Sequence, residues 1–219
     1  MLKDNLWTID RKGIEEMERI RRLNFINSIS GYKAANLVGT ISTGGSTNLA
    51  IVSSVVHLSS SPAVIGFIQR PTVVPRHTYR NIRSTGWYTI NQVHRDITDK
   101  AHYTSAKFDE SESEFEHADL TVHYEEGYPA PFVGESRLRV MVRYIEEYHL
   151  KASDTIMMVG GIELVQADRQ AIQSNGALDL DAIGSVCISG LDSYHTATRF
   201  AAYSYARPEQ FPVNEMPGQ

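Results

Sequence analysis

The chain of 219 residues has a single cysteine, Cys187. This excludes an intrachain disulfide framework and a thiolate metal cage. Its neighbours, Ser185-Val186-Cys187-Ile188, form a short apolar run that reads as a strand with a buried, inert thiol. No stretch approaches the roughly eighteen apolar residues of a membrane span, and the opening Met1-Leu2-Lys3-Asp4-Asn5 lacks the apolar run of a signal peptide. Dense basic runs are also missing: Lys and Arg number 21 against 26 Asp and Glu, a net charge of −5. Nucleic acid and anionic membrane, which need a concentrated positive field, are not expected partners. A cytoplasmic protein is expected.

Several chemical signatures are absent as well. No βαβ alternation with a glycine-rich phosphate loop occurs, which argues against Rossmann and P-loop architectures. A Gly-x-Ser-x-Gly elbow is lacking, and Ser53-Ser54 lies inside an apolar run, so a serine hydrolase is not indicated. There are eight histidines, but His102, His117 and His123 do not have the spacing that puts two ligands on one helix face. No metal site is expected.

What remains is an ordinary globular composition, 42% hydrophobic and 21% charged, long enough to bury a core unaided. Ile14, Met17, Ile20, Leu23 and Ile26 recur on one side of a helix over residues 13–29, with Gly31 as its stop. Strand-like runs over 36–43 and 48–57 flank Gly44-Gly45-Ser46-Thr47 and read as a hairpin. A third run over 63–70 follows the turn Ser59-Ser60-Ser61-Pro62. A short helix begins near Pro75 and ends near Gly86, and residues 87–93 return to strand. The acidic stretch 96–127, with Asp109, Glu110, Glu112, Glu114, Glu116 and Asp119, reads as helices and loops over the sheet. Residues 136–149 and 154–167 alternate polar and apolar as a second, long hairpin, and Ser174-Asn175-Gly176 is a further turn. Strands outnumber helices, so the fold class is mainly β (α+β), a single barrel-like domain over 1–208 with short helices and a C-terminal tail over 209–219.

One stretch gathers residues suited to an anionic, ring-bearing ligand: Asn48-Leu49-Ala50-Ile51-Val52-Ser53-Ser54, then Gly66-Phe67-Ile68-Gln69-Arg70-Pro71, then Arg76-His77-Thr78-Tyr79-Arg80-Asn81-Ile82. Hydroxyls and guanidinium groups hold phosphate, while strand N–H and C=O groups read a ring edge. Read as residues alone, Ser53 and Ser54 equally suit tight core positions, and the arginines a solvated surface.

These pieces, in order, resemble the flavin reductase-like family of FMN-binding split β-barrels. The series begins with Ile29-Ser30-Gly31-Tyr32-Lys33-Ala34-Ala35-Asn36-Leu37-Val38-Gly39-Thr40 after an N-terminal helix. It continues through Tyr88-Thr89-Ile90-Asn91, Ala101-His102-Tyr103-Thr104-Ser105-Ala106-Lys107, Ser113-Glu114-Phe115 and Ala130-Pro131-Phe132-Val133-Gly134-Glu135-Ser136 to Tyr205-Ala206-Arg207-Pro208. The resemblance implies that the strand from Asn48, Leu49 and Ala50 to Ser54 runs along the isoalloxazine edge. It makes Ser53, Ser54, Arg76 and Thr78 phosphate and ribityl contacts, with Asn81 positioning its helix and Arg70 a further candidate. Thr104 and Ser105 would reach the flavin from the same or a partner subunit of a homodimer. Many relatives carry a His before the strand matching 155–160 and an acidic residue after its glycine, where this chain has Asp154 and Gly161.

The implied function is an FMN-dependent oxidoreductase that passes hydride from NAD(P)H to flavin, with no catalytic side chain named. His57, His77 and His195 are candidates to lie near the ring. The alternatives are a carrier or sensor that holds FMN without turnover, and a split barrel that has lost its cofactor.

Overall fold

The computed structural model describes residues 6–109 and 112–216; the N-terminal five residues, Glu110, Ser111 and the last three residues of the expected tail lie outside it. The N-terminal apolar spacing yields two helices, α1 (Arg11–Glu16) and α2 (Arg19–Ser28), where one was expected. Met17 turns extended between them, and the Glu18 carboxylate caps the second helix by accepting from the N–H groups of Ile20 and Arg21. Ile20, Leu23 and Ile26 of α2 stand exposed.

After the two-residue strand β1 (Lys33–Ala34) come β2 (Asn36–Ile41), β3 (Thr47–Val52), β4 (Val56–Ser60) and β5 (Ala63–Gln69). β2 and β3 form the expected hairpin, with Ile41 opposite Thr47 and the turn opened by Gly45 at φ +90. The apolar run over 48–57 is not one strand. It divides at Ser53-Ser54-Val55, because β3 pairs with β2 while β4 pairs with β5.

α3 (His77–Thr85) follows and ends at Gly86, whose φ of +77 suits a residue without a side chain. Beyond it lie β6 (Trp87–Gln92), α4 (Thr98–Tyr103), α5 (Glu114–His117), β7 (Val122–His123), β8 (Phe132–Val133), β9 (Leu138–Leu150), β10 (Thr155–Ala167), β11 (Val186–Ser189) and β12 (Ser193–Thr196). β9 and β10 are the expected long hairpin. Cys187 lies on β11 as expected, but it is half-buried and its thiol points to the His195 carbonyl at 3.5 Å.

The main sheet is antiparallel, in the order β3-β2-β6-β9-β10-β5-β4. Its two edges, β3 and β4, are consecutive in the chain, so the sheet curls until they nearly meet. Ser54 stitches that seam: its hydroxyl donates to the Ile68 carbonyl at 3.2 Å and accepts from the Ile68 N–H at 3.1 Å. The serine thus supplies both bonds that a neighbouring strand's peptide would supply. This is a split β-barrel.

β2 is buried along most of its length because it is covered on both faces. Val38 points into the barrel core with Phe67, Tyr88, Val142 and Met158. Leu37, facing the other way, packs with Leu49, Phe115 and Ile188 under the helices and the small sheet β1-β11-β12. Among the described residues, no helix is long and apolar enough to cross a membrane.

Candidate functional site

The edge of β3, the start of α3 and the short helix α5 come together at one rim of the barrel. At their centre is Thr40, a hydroxyl residue in an otherwise apolar stretch of β2. Buried itself, it accepts from two side-chain amides: Asn48 Nδ2 at 3.3 Å and Asn81 Nδ2 at 3.1 Å. Asn48 Nδ2 also reaches Thr78 Oγ1 at 3.0 Å. A buried amide left unpaired is costly, so this knot of four side chains fixes α3 against β2 and β3. Beside it, Ser46, Thr47, His77 and Arg80 line a small polar pocket. Arg76 stands at the head of α3, half-buried, with its Nε donating to the Pro71 carbonyl at 3.2 Å. That bond uses one of the five guanidinium donors.

β3 is an edge strand, so alternate residues turn their N–H and C=O groups away from β2. Leu49 is one of these, and its N–H donates to Glu114 Oε2 at 2.8 Å. Burial pushes the Glu114 carboxyl above the ordinary carboxylate range, while the Leu49 N–H works in the opposite direction. Ile51, two residues on, presents its backbone groups on the same open side.

Asn48, Thr78 and Asn81 therefore meet in one cluster, with Leu49 and Ala50 along the same strand and Arg76 at the adjoining helix start. Ser53 lies half-buried just past β3, and Ser54 is engaged in the barrel seam. Arg70 is exposed at the end of β5. At the end of α4, Thr104 is buried with its hydroxyl turned back to the Ala101 carbonyl at 2.8 Å, and Ser105 is exposed. His57 bonds Ser60 at 3.1 Å, and His195 bonds Ser189 at 2.8 Å on the small sheet. Sequence reasoning missed Thr40 and gave no role to Glu114. A hydroxyl within an apolar strand was the available sign for Thr40, whereas the Glu114 contact spans 65 positions.

The profile of the flavin reductase like domain matches residues 32–179. Among solved structures, the chain is similar to a candidate flavin reductase with a split barrel domain from Shewanella frigidimarina. The two are 47% identical with a TM-score of 0.88, covering 91% of this chain and 100% of the other. Nitrilotriacetate monooxygenase component B from Bacillus cereus shares the fold at 17% identity and a TM-score of 0.78, over 89% of this chain and 96% of its own. Flavoredoxin of Desulfovibrio vulgaris does so at 23% identity and 0.69, over 80% and 92%. Among curated proteins none matches the chain.

Proposed function

The chain belongs to the flavin reductase-like family, and from that premise we propose that it is an oxidoreductase that binds FMN and passes hydride from NAD(P)H to flavin. The observation that carries the reading is the open edge of β3 beside the arginine-headed start of α3. A planar ring edge finds open strand N–H and C=O groups at Ile51, beyond the Leu49 N–H that Glu114 occupies, and a phosphate finds the remaining guanidinium donors of Arg76. The family likeness to a candidate flavin reductase supports the same assignment.

The flavin supplies the redox chemistry, and no side-chain acid or base is required of the protein. The chain's own part is to bind and orient. The Thr40, Asn48, Thr78 and Asn81 knot holds β3 and α3 at a fixed spacing, and Glu114 occupies the Leu49 N–H so that the open part of the edge begins farther along the strand. Ser53, Thr104, Ser105 and Arg70 remain candidate contacts, the middle two from either subunit. A cytoplasmic setting, where nicotinamide nucleotides are at hand, suits this chemistry.

The functional unit in this reading is a homodimer. The apolar runs of β4 and β5 exceed what the barrel interior uses: Val56 and Leu58 are 41% and 39% exposed. Among the described residues neither α1 nor α2 contains a buried one, so the N-terminal helices give little sign of covering that surface.

Titration of the purified protein with FMN tests the cofactor assignment. Saturable quenching of flavin fluorescence is expected; a signal that stays linear with added FMN at micromolar protein overturns it.

A further inference from the structure

The chain ends in a hairpin that buries almost nothing. Over residues 202–215 the Ser204 N–H donates to the Val213 carbonyl at 2.9 Å, the Glu215 N–H to the Ala202 carbonyl at 2.7 Å, and the turn closes through Gln210 and Arg207 at 3.1 Å. Its bonds to the body are at its root, where the Arg199 N–H donates to Asp181 at 2.8 Å and its guanidinium pairs with Asp179 at 3.5 Å. The large side chains on and beside it face outward: Phe200 is 83% exposed, Tyr203 63%, Tyr205 86% and Phe211 90%. A two-stranded hairpin is marginal by itself in water, so one carrying this many unburied rings needs a surface to lie on.

The same chain offers such a surface. On β5, Phe67 and Ile65 point into the barrel core, which turns Gly66 and Ile68 outward. The ladder registers place Val56 across from Gly66, and Met157 between Ile68 and Tyr148. Leu58 and Met157 converge over Gly66, where an added Cβ would come within 3.0 and 3.2 Å of them. The outer face of β4, β5 and β10 is thus continuous and apolar, with Tyr148 of β9 adjoining it beside Met157, and Val56, Leu58 and Tyr148 are exposed.

We propose that the C-terminal hairpin is an arm that lies across this outer sheet face on a second copy of the chain. Hairpin and face both stand exposed within one chain, so the arm does not cover its own barrel. A single two-fold axis would satisfy both surfaces in both subunits. The area is of the right size: rings bury about 150–250 Å² each, so four mostly exposed ones offer roughly 600 Å² per chain, against ~800 Å² that each partner supplies to a standard interface. The proposal rests on the homodimer reading and assigns the element that holds the dimer together.

A dilution series by analytical ultracentrifugation separates the two. The full chain, its Tyr205→Ser and Phe211→Ser variants and the face variant Leu58→Ser are compared, with circular dichroism confirming that each remains folded. A dimeric full chain is expected, with each arm variant raising the dissociation constant at least about thirtyfold, the scale of an interface hot spot. The combined Phe211→Ser and Leu58→Ser change should cost less than the product of the two single effects, because both remove one contact. A monomeric full chain ends the homodimer reading and the arm with it. A dimer whose dissociation constant is unmoved by the arm variants leaves the dimer standing and overturns the arm. Effects that multiply fully overturn its placement on this face.

Discussion

The Glu114 carboxylate lies 2.8 Å from the backbone nitrogen of Leu49, so a helix side chain completes a hydrogen bond that the edge strand β3 leaves open. Burial raises the carboxyl's pKa, which means that folding favours its protonated form. The stability held below the ordinary carboxylate pKa of about 4.3 is therefore lost as pH rises through the raised value. Glu114→Gln keeps an acceptor for Leu49 without the charge. Denaturant unfolding should find the variant gaining on the parent as pH rises from 4 to 8, with the difference shrinking below about pH 4. A difference that grows toward acid contradicts this.

Thr40 holds the amides of both Asn48 and Asn81. Thr40→Val keeps the shape and removes the acceptor, leaving two buried amides short of a partner. Urea unfolding should register a loss on the order of 1–3 kcal/mol. A change within about 0.5 kcal/mol would show that the knot contributes little.

Inside the barrel, the buried Tyr88 hydroxyl finds no hydrogen-bond partner among the described residues. Its removal in Tyr88→Phe should leave thermal stability unchanged or raised. Gly160→Ala should do the opposite. An added Cβ there would crowd Val142 and come within 2.6 Å of the Tyr88 hydroxyl and 2.9 Å of the Arg143 carbonyl. The backbone atom has little room to yield, and a loss of roughly 1–3 kcal/mol is expected. A destabilised Tyr88→Phe would mean that the hydroxyl is satisfied in solution.

The strands were the most legible part of the sequence, because alternation over 136–149 and 154–167 follows from one face being buried. The elements misread were those whose limits depend on distant partners. The run over 48–57 is mostly apolar on either side of Ser53-Ser54, yet it divides there, where the chain leaves one sheet edge for the other. The N-terminal spacing continues through a break set by the Glu18 cap. The site was legible in its residue types but not in its connections. Asn48, Thr78 and Asn81 carried the amide and hydroxyl chemistry in plain view, whereas Thr40 meets Asn81 across 41 positions and Glu114 meets Leu49 across 65. No local pattern encodes such pairings.

Arg76 is the chain's candidate phosphate anchor. Its aliphatic stem and the Pro71 contact are local to the helix start, so Arg76→Ala should fold normally and still weaken FMN binding. Loss of one charge-assisted hydrogen bond corresponds to roughly ten- to a hundredfold in affinity. An unchanged titration removes Arg76 from the site.

The central claim is electron transfer from nicotinamide to flavin, and steady-state oxidation of NADH and NADPH, followed by the loss of nicotinamide absorbance with and without added FMN, tests it most directly. Turnover with at least one donor, dependent on FMN and proportional to protein concentration, is the predicted result. A protein that binds FMN yet oxidises neither donor above the rate of free flavin would contradict the account and leave it a carrier.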